Sequence, residues 1–187
     1  MKEDLTRYLQ QGREALVWKL DGLDEYDIRR PMVRTGTNLL GLVKHMASVE
    51  VGYFGTAFDR PFPEVLASGV DAAEPNADMW ATRDESRAFV VDLYRRVWAH
   101  ADETINSLEL ESMGAVPWWP ADRRNVPLRR VLLHVIVETH RHAGHADIIR
   151  ELIDGSVGRY RTDPSHDDFE WDAYRSRLEQ VARDAAD

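Results

Sequence analysis

The sequence contains no cysteine among its 187 residues. The protein therefore has no disulfide bond, no thiolate ligand for a metal and no cysteine nucleophile. If the protein carries out chemistry on a thiol, that thiol must come from another molecule.

Long apolar runs and an excess of positive charge are also missing. The composition, 43% hydrophobic and 30% charged, is that of an ordinary globular protein without a membrane span. The first residues, MKEDLTRYLQQ, lack the apolar stretch of a signal peptide, so a cytoplasmic location is expected. The net charge of −9 repels phosphate backbones, so we expect neither nucleic acid nor membrane as a partner.

Apolar residues recur at helical spacing in five segments, which predicts five helices. The expected helices cover about residues 5–23, 37–58, 82–108, 128–153 and 168–185. Thr35 or Thr37 would cap the second helix, and a Thr82–Glu85 capping box would open the third. Gly155 would end the fourth. The fifth would pack through an apolar face made of Trp171, Tyr174, Leu178 and Val181.

The connections at 59–80 and 109–127 are long and rich in proline. Loops of this length are often functional or contact a partner. No segment has a convincing strand pattern, so the sequence predicts an all-α fold. The simplest arrangement is a single domain, 1–187, in which a four-helix bundle carries an additional C-terminal helix and long inter-helix loops.

The segment HVIVETHRHAGHADIIRELI, residues 134–153, places titratable groups on the face that should be buried. At about 100° per residue, His134, Glu138, His142 and His145 fall within an arc of about 80°. That arc also holds Val131 and Ile149, so the polar groups lie within the apolar stripe. His140 points to the other side of the helix and is expected in solvent.

Burying such groups costs several kcal/mol unless hydrogen bonds, an ion pair or a metal compensates. Glu138 and His142 are spaced i, i+4, and His45 on the second helix is the best-placed third ligand. A site with two histidines and one carboxylate leaves a coordination position open, as catalytic sites do. We expect one divalent metal, with zinc first and nickel, iron or manganese as alternatives. The competing interpretation is that these core histidines form hydrogen bonds with carboxylates or the backbone and bind no metal.

Other residues are candidates for substrate binding or proton transfer. Trp118 and Trp119 precede the histidine helix and could line a pocket, and Arg123 could bind a carboxylate. His134 would line the same pocket. His145 and Glu50 are candidates for a catalytic proton carrier, although the position of Glu50, on the margin of the apolar face of the second helix, favours a surface carboxylate.

With His45, ETHRHAGHADIIREL and VPWWPADRRNVPLRRVLLH, the chain resembles the DinB-like family, which includes the mycothiol-dependent enzymes. The resemblance implies a four-helix bundle that often dimerises, so a homodimer is expected. It also implies a divalent metal with three ligands, which fall on His45, Glu138 and His142. Many members have histidine at the position of Glu138. The mycothiol-dependent isomerases of the family, like this sequence, have glutamate there.

The resemblance implies a metal-dependent transferase or isomerase that activates a low-molecular-weight thiol for attack on an electrophilic small molecule. Two alternatives stay open. The same metal could activate water in a hydrolase, with Glu50 or His145 carrying the proton. The protein could also be a non-catalytic bundle that binds a small ligand or a partner through the loops at 59–80 and 109–127.

Overall fold

Helices account for most of the structure. The computed structural model describes residues 1–64, 74–163 and 169–186. Over these residues it is helical apart from one small sheet, which confirms the all-α prediction. The elements are α1 Lys2–Val17, α2 Glu25–Arg29, α3 Leu39–Glu50, α4 Arg87–Ser107, β1 Met113–Ala115, β2 Asn125–Pro127, α5 Leu128–Asp154 and α6 Trp171–Asp184. Within the described ranges, no helix is both long and apolar enough to cross a bilayer.

The core lies between helices α1, α3, α4 and α5. Helix α1 packs along α5, and α3 packs against both α4 and α5. Fully buried apolar side chains fill two adjoining regions, one around Met46 and Tyr94 and the other around Phe54 and Val131. Val49 contacts both regions from α3. The seam between α3 and α5 therefore runs through the middle of the core.

Two helix starts differ from the prediction. Asn38, rather than Thr35 or Thr37, caps α3, because its Oδ1 accepts a hydrogen bond from the Gly41 amide at 2.8 Å. Ser86 caps α4, which begins at Arg87. The Thr82–Glu85 contact exists, with the Thr82 amide donating to Glu85 at 2.7 Å, but it closes a turn ahead of the helix. The predicted end of α5 is confirmed, since Gly155 adopts φ 78°.

The second predicted helix changes its winding near its end. After α3, the chain continues as a π-helical turn, Val51–Gly55, and a 3-10 turn, Thr56–Phe58. Gly52 lies in this π-helical turn, and a Cβ on it would come within 2.8 Å of the Trp118 ring. The glycine therefore leaves room for an indole against the helix, and π-helical turns are frequent at functional sites.

The connection at 109–127 contains strands that the sequence did not predict. Strands β1 and β2 pair antiparallel, with Gly114 opposite Val126. Three-residue strands are too short to show the alternating pattern by which strands are identified. In the other long connection, residues 65–73 of the predicted 59–80 loop lie outside the described residues.

The prediction that the last helix packs on the core is wrong. Helix α6 forms, but it has no buried residue, and the four side chains expected to pack are exposed. Its aromatic rings contact one another and Phe169, which precedes the helix: the Trp171 ring is centred 4.5 Å from that of Phe169 and 6.2 Å from that of Tyr174. A helical apolar face predicts the helix itself and does not show which surface covers it.

Candidate active site

Histidines from α3 and α5 meet at the seam between these helices. The ring centroids of His45 and His142 are 4.8 Å apart in an edge-to-face arrangement. On α5, His142 Nε2 lies 3.6 Å from Glu138 Oε2. The structure thus brings the three predicted ligands together around His142, which is only 13% exposed.

A third imidazole lies on the open side of this group. His145 Nδ1 is 3.4 Å from His142 Nδ1, and the side chain of His145 is exposed. We call His45, Glu138, His142 and His145 the His–Glu cluster. Its members range from partly buried to exposed, and His145 is the one that faces solvent most openly.

Asp78 is a neighbour of this cluster that the sequence did not reveal. Its Oδ2 lies 2.6 Å from His45 Nδ1, and the residue is 7% exposed. The only sequence signal was the length of the 59–80 connection, in which Asp78 is one of several acidic residues. Tertiary packing brings Asp78 to His45, and helical spacing in the sequence does not reveal such a contact.

Aromatic side chains form a second group farther along the same seam. The indole N–H groups of Trp118 and Trp119 both donate to the Tyr53 hydroxyl, at 3.3 and 3.1 Å. The ring of His134 stacks at a tilt on Tyr53, with centroids 4.7 Å apart, and lies 5.3 Å from the Trp119 ring. We call Tyr53, Trp118, Trp119 and His134 the aromatic wall. Tyr53 was not among the candidates drawn from the sequence.

The two groups occupy one continuous seam. His45 and Tyr53 are eight residues apart along α3 and its π-helical extension, and His134 and His142 are eight apart along α5. Eight helical residues rise about 12 Å, so the aromatic wall stands about two turns from His45 and His142 and about one turn from Glu138.

The family follows from a comparison of the whole sequence. A family model described as mycothiol-S-transferase matches residues 4–155. The chain belongs to the mycothiol-S-transferase family. The match covers α1 to α5 and every candidate site residue, whereas α6 lies beyond its end. It confirms the resemblance drawn from the DinB-like motifs. No curated protein matches the chain.

Among the described residues, the three predicted ligands meet in pairs and not as a group of three. Within residues 1–64, 74–163 and 169–186, no group of three or more histidine, aspartate or glutamate side chains has the arrangement needed to hold a metal ion. The contacts are instead pairwise, His45 with His142 and Glu138 with His142. The donor types nevertheless fit a divalent ion, because imidazole and carboxylate are its usual ligands.

The electrostatic environment keeps His142 neutral. Burial lowers the pKa of His142 to about 4, and the nearby His45, His145 and Arg141 add to this effect. Burial also lowers the pKa of His134. A neutral imidazole retains a lone pair, so at neutral pH His142 is in the protonation state in which histidine binds metals.

The remaining candidates have other surroundings. Glu50 is fully buried and hydrogen-bonded to Arg13 and Tyr94, so the alternative of a surface carboxylate is wrong. Arg123 is exposed on the turn between the strands, 4.0 Å from Asp122. His140 is not simply solvated, because it is half-buried with Nε2 3.0 Å from the Tyr8 carbonyl oxygen.

Acid should destabilise the metal-free protein through His142. Unfolding restores the ordinary pKa of about 6.5, so between about pH 6.5 and pH 4 the unfolded state binds more protons than the folded one. We expect the free energy of unfolding to fall by at most about 3 kcal/mol across this window as the pH decreases. Urea unfolding of chelator-treated protein at several pH values measures it.

His142→Gln should flatten this part of the pH profile, since glutamine does not titrate. His140→Gln, on the opposite side of α5, is the matched control and should keep the wild-type slope. An unchanged slope in His142→Gln would show that other groups carry the effect.

Proposed function

We propose that this family member transfers a low-molecular-weight thiol of the mycothiol type to an electrophilic small molecule. We further propose that it uses one divalent metal bound by His45, Glu138 and His142. The observation that carries this proposal is the position of neutral His142 between a second imidazole and a carboxylate on the α3–α5 seam. Membership of the mycothiol-S-transferase family supports the thiol as substrate.

The side chains of the His–Glu cluster supply suitable metal ligands, whereas the nucleophilic sulfur must come from another molecule. His45 and His142 offer imidazole nitrogens and Glu138 a carboxylate, and the chain has no cysteine of its own. A bound divalent metal would stabilise the thiolate form of an incoming thiol. Zinc is the metal we expect, and nickel, iron and manganese accept the same donors.

His145 is our candidate for removing the thiol proton. Its imidazole is exposed and lies beside His142, so it adjoins the His–Glu cluster from the solvent side. An imidazole at this position could accept the proton and pass it to water. Glu50, also a candidate from the sequence, is enclosed by Arg13 and Tyr94 and is proposed as a structural group.

The aromatic wall is our candidate for binding the electrophile. Trp118 is 40% exposed and can stack on a flat substrate, with Trp119 and His134 beside it. Because the Tyr53 oxygen accepts two indole N–H groups, its own proton can be donated to a substrate oxygen. Arg123 on the nearby turn is proposed to attract a carboxylate of the thiol or the acceptor.

Removing the Tyr53 hydroxyl should weaken use of the acceptor. We expect Tyr53→Phe to lower kcat/KM for a carbonyl-bearing acceptor by roughly 3- to 10-fold, the loss of one hydrogen bond. The measurement is a steady-state comparison with wild type at fixed thiol. Tyr8→Phe, which changes an exposed tyrosine on α1, is the control and should leave kcat/KM unchanged. Equal kinetics for wild type and Tyr53→Phe would exclude the hydroxyl from substrate binding.

The reaction itself can be tested with defined reagents. Zinc-loaded protein would be incubated with mycothiol, glutathione or cysteine and an activated acceptor such as an aryl halide. Loss of one thiol per acceptor, dependent on protein and abolished by chelation, would support transfer, in which the new C–S bond replaces the bond to halide and the thiol proton is released.

The same assay separates the alternatives. Acceptor loss without added thiol, tested with an ester substrate, would favour a hydrolase. Full metal binding with no turnover of any acceptor would favour the non-catalytic ligand-binding bundle and overturn the proposal.

Four further features are proposed with the function. We propose that α1, α3, α4 and α5 form the four-helix bundle of the DinB-like proteins, that residues 1–187 are one domain, and that the protein is a cytoplasmic homodimer. Light scattering on the purified protein tests the last of these, because a monomer at micromolar concentration would exclude a stable dimer.

A further inference from the structure

We propose that Asp78 is a positioning residue for His45, whose imidazole it holds in the tautomer with the proton on Nδ1. The proposal rests on the proposed function only in taking His45 as a metal ligand. The carboxylate oxygen Oδ2 lies 2.6 Å from His45 Nδ1, at the distance of a strong charge-assisted hydrogen bond. Asp78 itself is 7% exposed, so little water competes for this contact.

The fold brings Asp78 to His45 by pressing residues 74–85 onto the start of α3. Gly41 lies directly under this segment, and a Cβ on Gly41 would overlap the Met79 carbonyl oxygen. The Asn38 side chain donates to the same oxygen at 3.5 Å. Asn76 turns the chain through a left-handed conformation, φ 59°. The residue after Asp78 is therefore in backbone contact with α3 one helical turn before His45.

The other end of the segment is fastened by Lys44, the neighbour of His45 in sequence. Lys44 Nζ donates to the Trp80 carbonyl oxygen at 3.0 Å and to Glu85 Oε2 at 2.9 Å. Burial raises the pKa of Glu85, but the hydrogen bonds from Lys44 and Thr82 outweigh it, so the pKa is lowered and the carboxylate stays charged. The residues that follow Asp78 are thus held against α3 at Met79, Trp80 and Glu85, which limits the freedom of Asp78 to leave His45.

This arrangement has a chemical consequence for His45. A neutral imidazole carries one proton, and the hydrogen bond at one nitrogen decides which nitrogen keeps it. A carboxylate can only accept, so Asp78 selects the proton on Nδ1 and leaves the lone pair on Nε2. Carboxylates that bind a ligating histidine in this way orient the ring and make it a better ligand.

The direct test is the tautomer of His45 in metal-free protein. Long-range proton–nitrogen spectra of nitrogen-15-labelled protein at pH 8, assigned with His45→Gln, should show Nδ1 protonated and Nε2 unprotonated in wild type. Asp78→Ala should give a mixture of tautomers. Asp84→Asn, in an exposed acidic residue of the same segment, should match wild type. A wild-type His45 protonated on Nε2, or an unchanged tautomer in Asp78→Ala, would overturn the proposal.

Zinc affinity, measured by competition with a chromophoric chelator, is the second readout. We expect Asp78→Ala to bind zinc about 10- to 100-fold more weakly, with Asp84→Asn unchanged. If Asp78→Ala unfolds, Asp78→Asn, which keeps the size but weakens the acceptor, takes its place with an intermediate effect expected.

The two proposals fail in different ways. Wild-type protein that binds no metal but shows the Nδ1 tautomer, lost in Asp78→Ala, would leave the positioning role intact and overturn the metal-dependent function. Suppose instead that the wild-type protein binds zinc and transfers thiol, and that Asp78→Ala changes neither the tautomer nor the zinc affinity. The metal-dependent function would then stand and the positioning role of Asp78 would be overturned.

Discussion

Replacing Glu50 with alanine should lower the free energy of unfolding by about 3–5 kcal/mol, as expected when one partner of a buried ion pair is removed. Both side chains of the Arg13–Glu50 pair are fully buried, and Arg13 donates from Nη2 at 2.6 Å and from Nε at 3.1 Å. Burial alone would lower the pKa of Arg13, but Glu50 and Asp102 outweigh it and raise it. The guanidinium therefore stays charged and would lose its main partner. Urea unfolding of the purified variant measures the change.

Two variants show whether the charge is responsible. Asp102, the second partner of Arg13, has a side chain that is 38% exposed. Asp102→Ala should therefore lower the free energy of unfolding by only about 1 kcal/mol. The double variant Arg13→Met, Glu50→Leu replaces the pair with apolar groups and should recover most of the lost stability. A stable Glu50→Ala that has lost thiol transfer would contradict the structural role and restore Glu50 as a proton carrier.

Replacing His142 with alanine should abolish stoichiometric metal binding. His142 contacts both other proposed ligands, with Glu138 3.6 Å away and the His45 ring centroid at 4.8 Å, so its loss removes the link between them. Since loss of a residue that only orients a ligand costs about 10- to 100-fold in metal affinity, loss of a ligand should cost more than about 100-fold. Mass spectrometry for bound metal and chelator competition measure the effect.

His140→Ala, from the same helix, is the matched control and should retain wild-type metal content. The decisive contrary result is wild-type protein without stoichiometric metal after reconstitution with zinc, nickel, iron and manganese. The His–Glu cluster would then be a hydrogen-bonded core group, and the ligand-binding alternative would become the leading interpretation.

The arrangement of residues within one helix was predictable from the sequence. Glu138, His142 and His145 lie together because the α-helix repeats every 3.6 residues, and the structure keeps that face against α3. The end of α5 at Gly155 was equally local, since a left-handed residue there suits glycine. The contact of His45 with this face needed the packing of two helices; its place on the second predicted helix made His45 a candidate, and the resemblance to the DinB-like family implied the same residue.

Features that depend on packing between distant segments were missed. Tyr53 contacts Trp118 and Trp119 because a glycine in a π-helical turn admits an indole, and no periodicity signals that. The helical face of α6 predicted a packed helix, yet all of its described residues are exposed or half-exposed. Glu50 sits near the margin of an apolar stripe, where spacing alone could not show that Arg13 would bury it.

The sequence by itself determined the five longer helices, though not the short α2, as well as the absence of internal thiol chemistry and the grouping of Glu138, His142 and His145. These follow from composition and from geometry along one chain segment. The tertiary structure alone decided that Asp78 reaches His45, that Glu50 is paired in the core and that an aromatic wall stands beside the cluster. Those contacts join residues that are more than thirty positions apart. Their geometry depends on how helices and loops pack against one another, and it cannot be predicted from local backbone preferences.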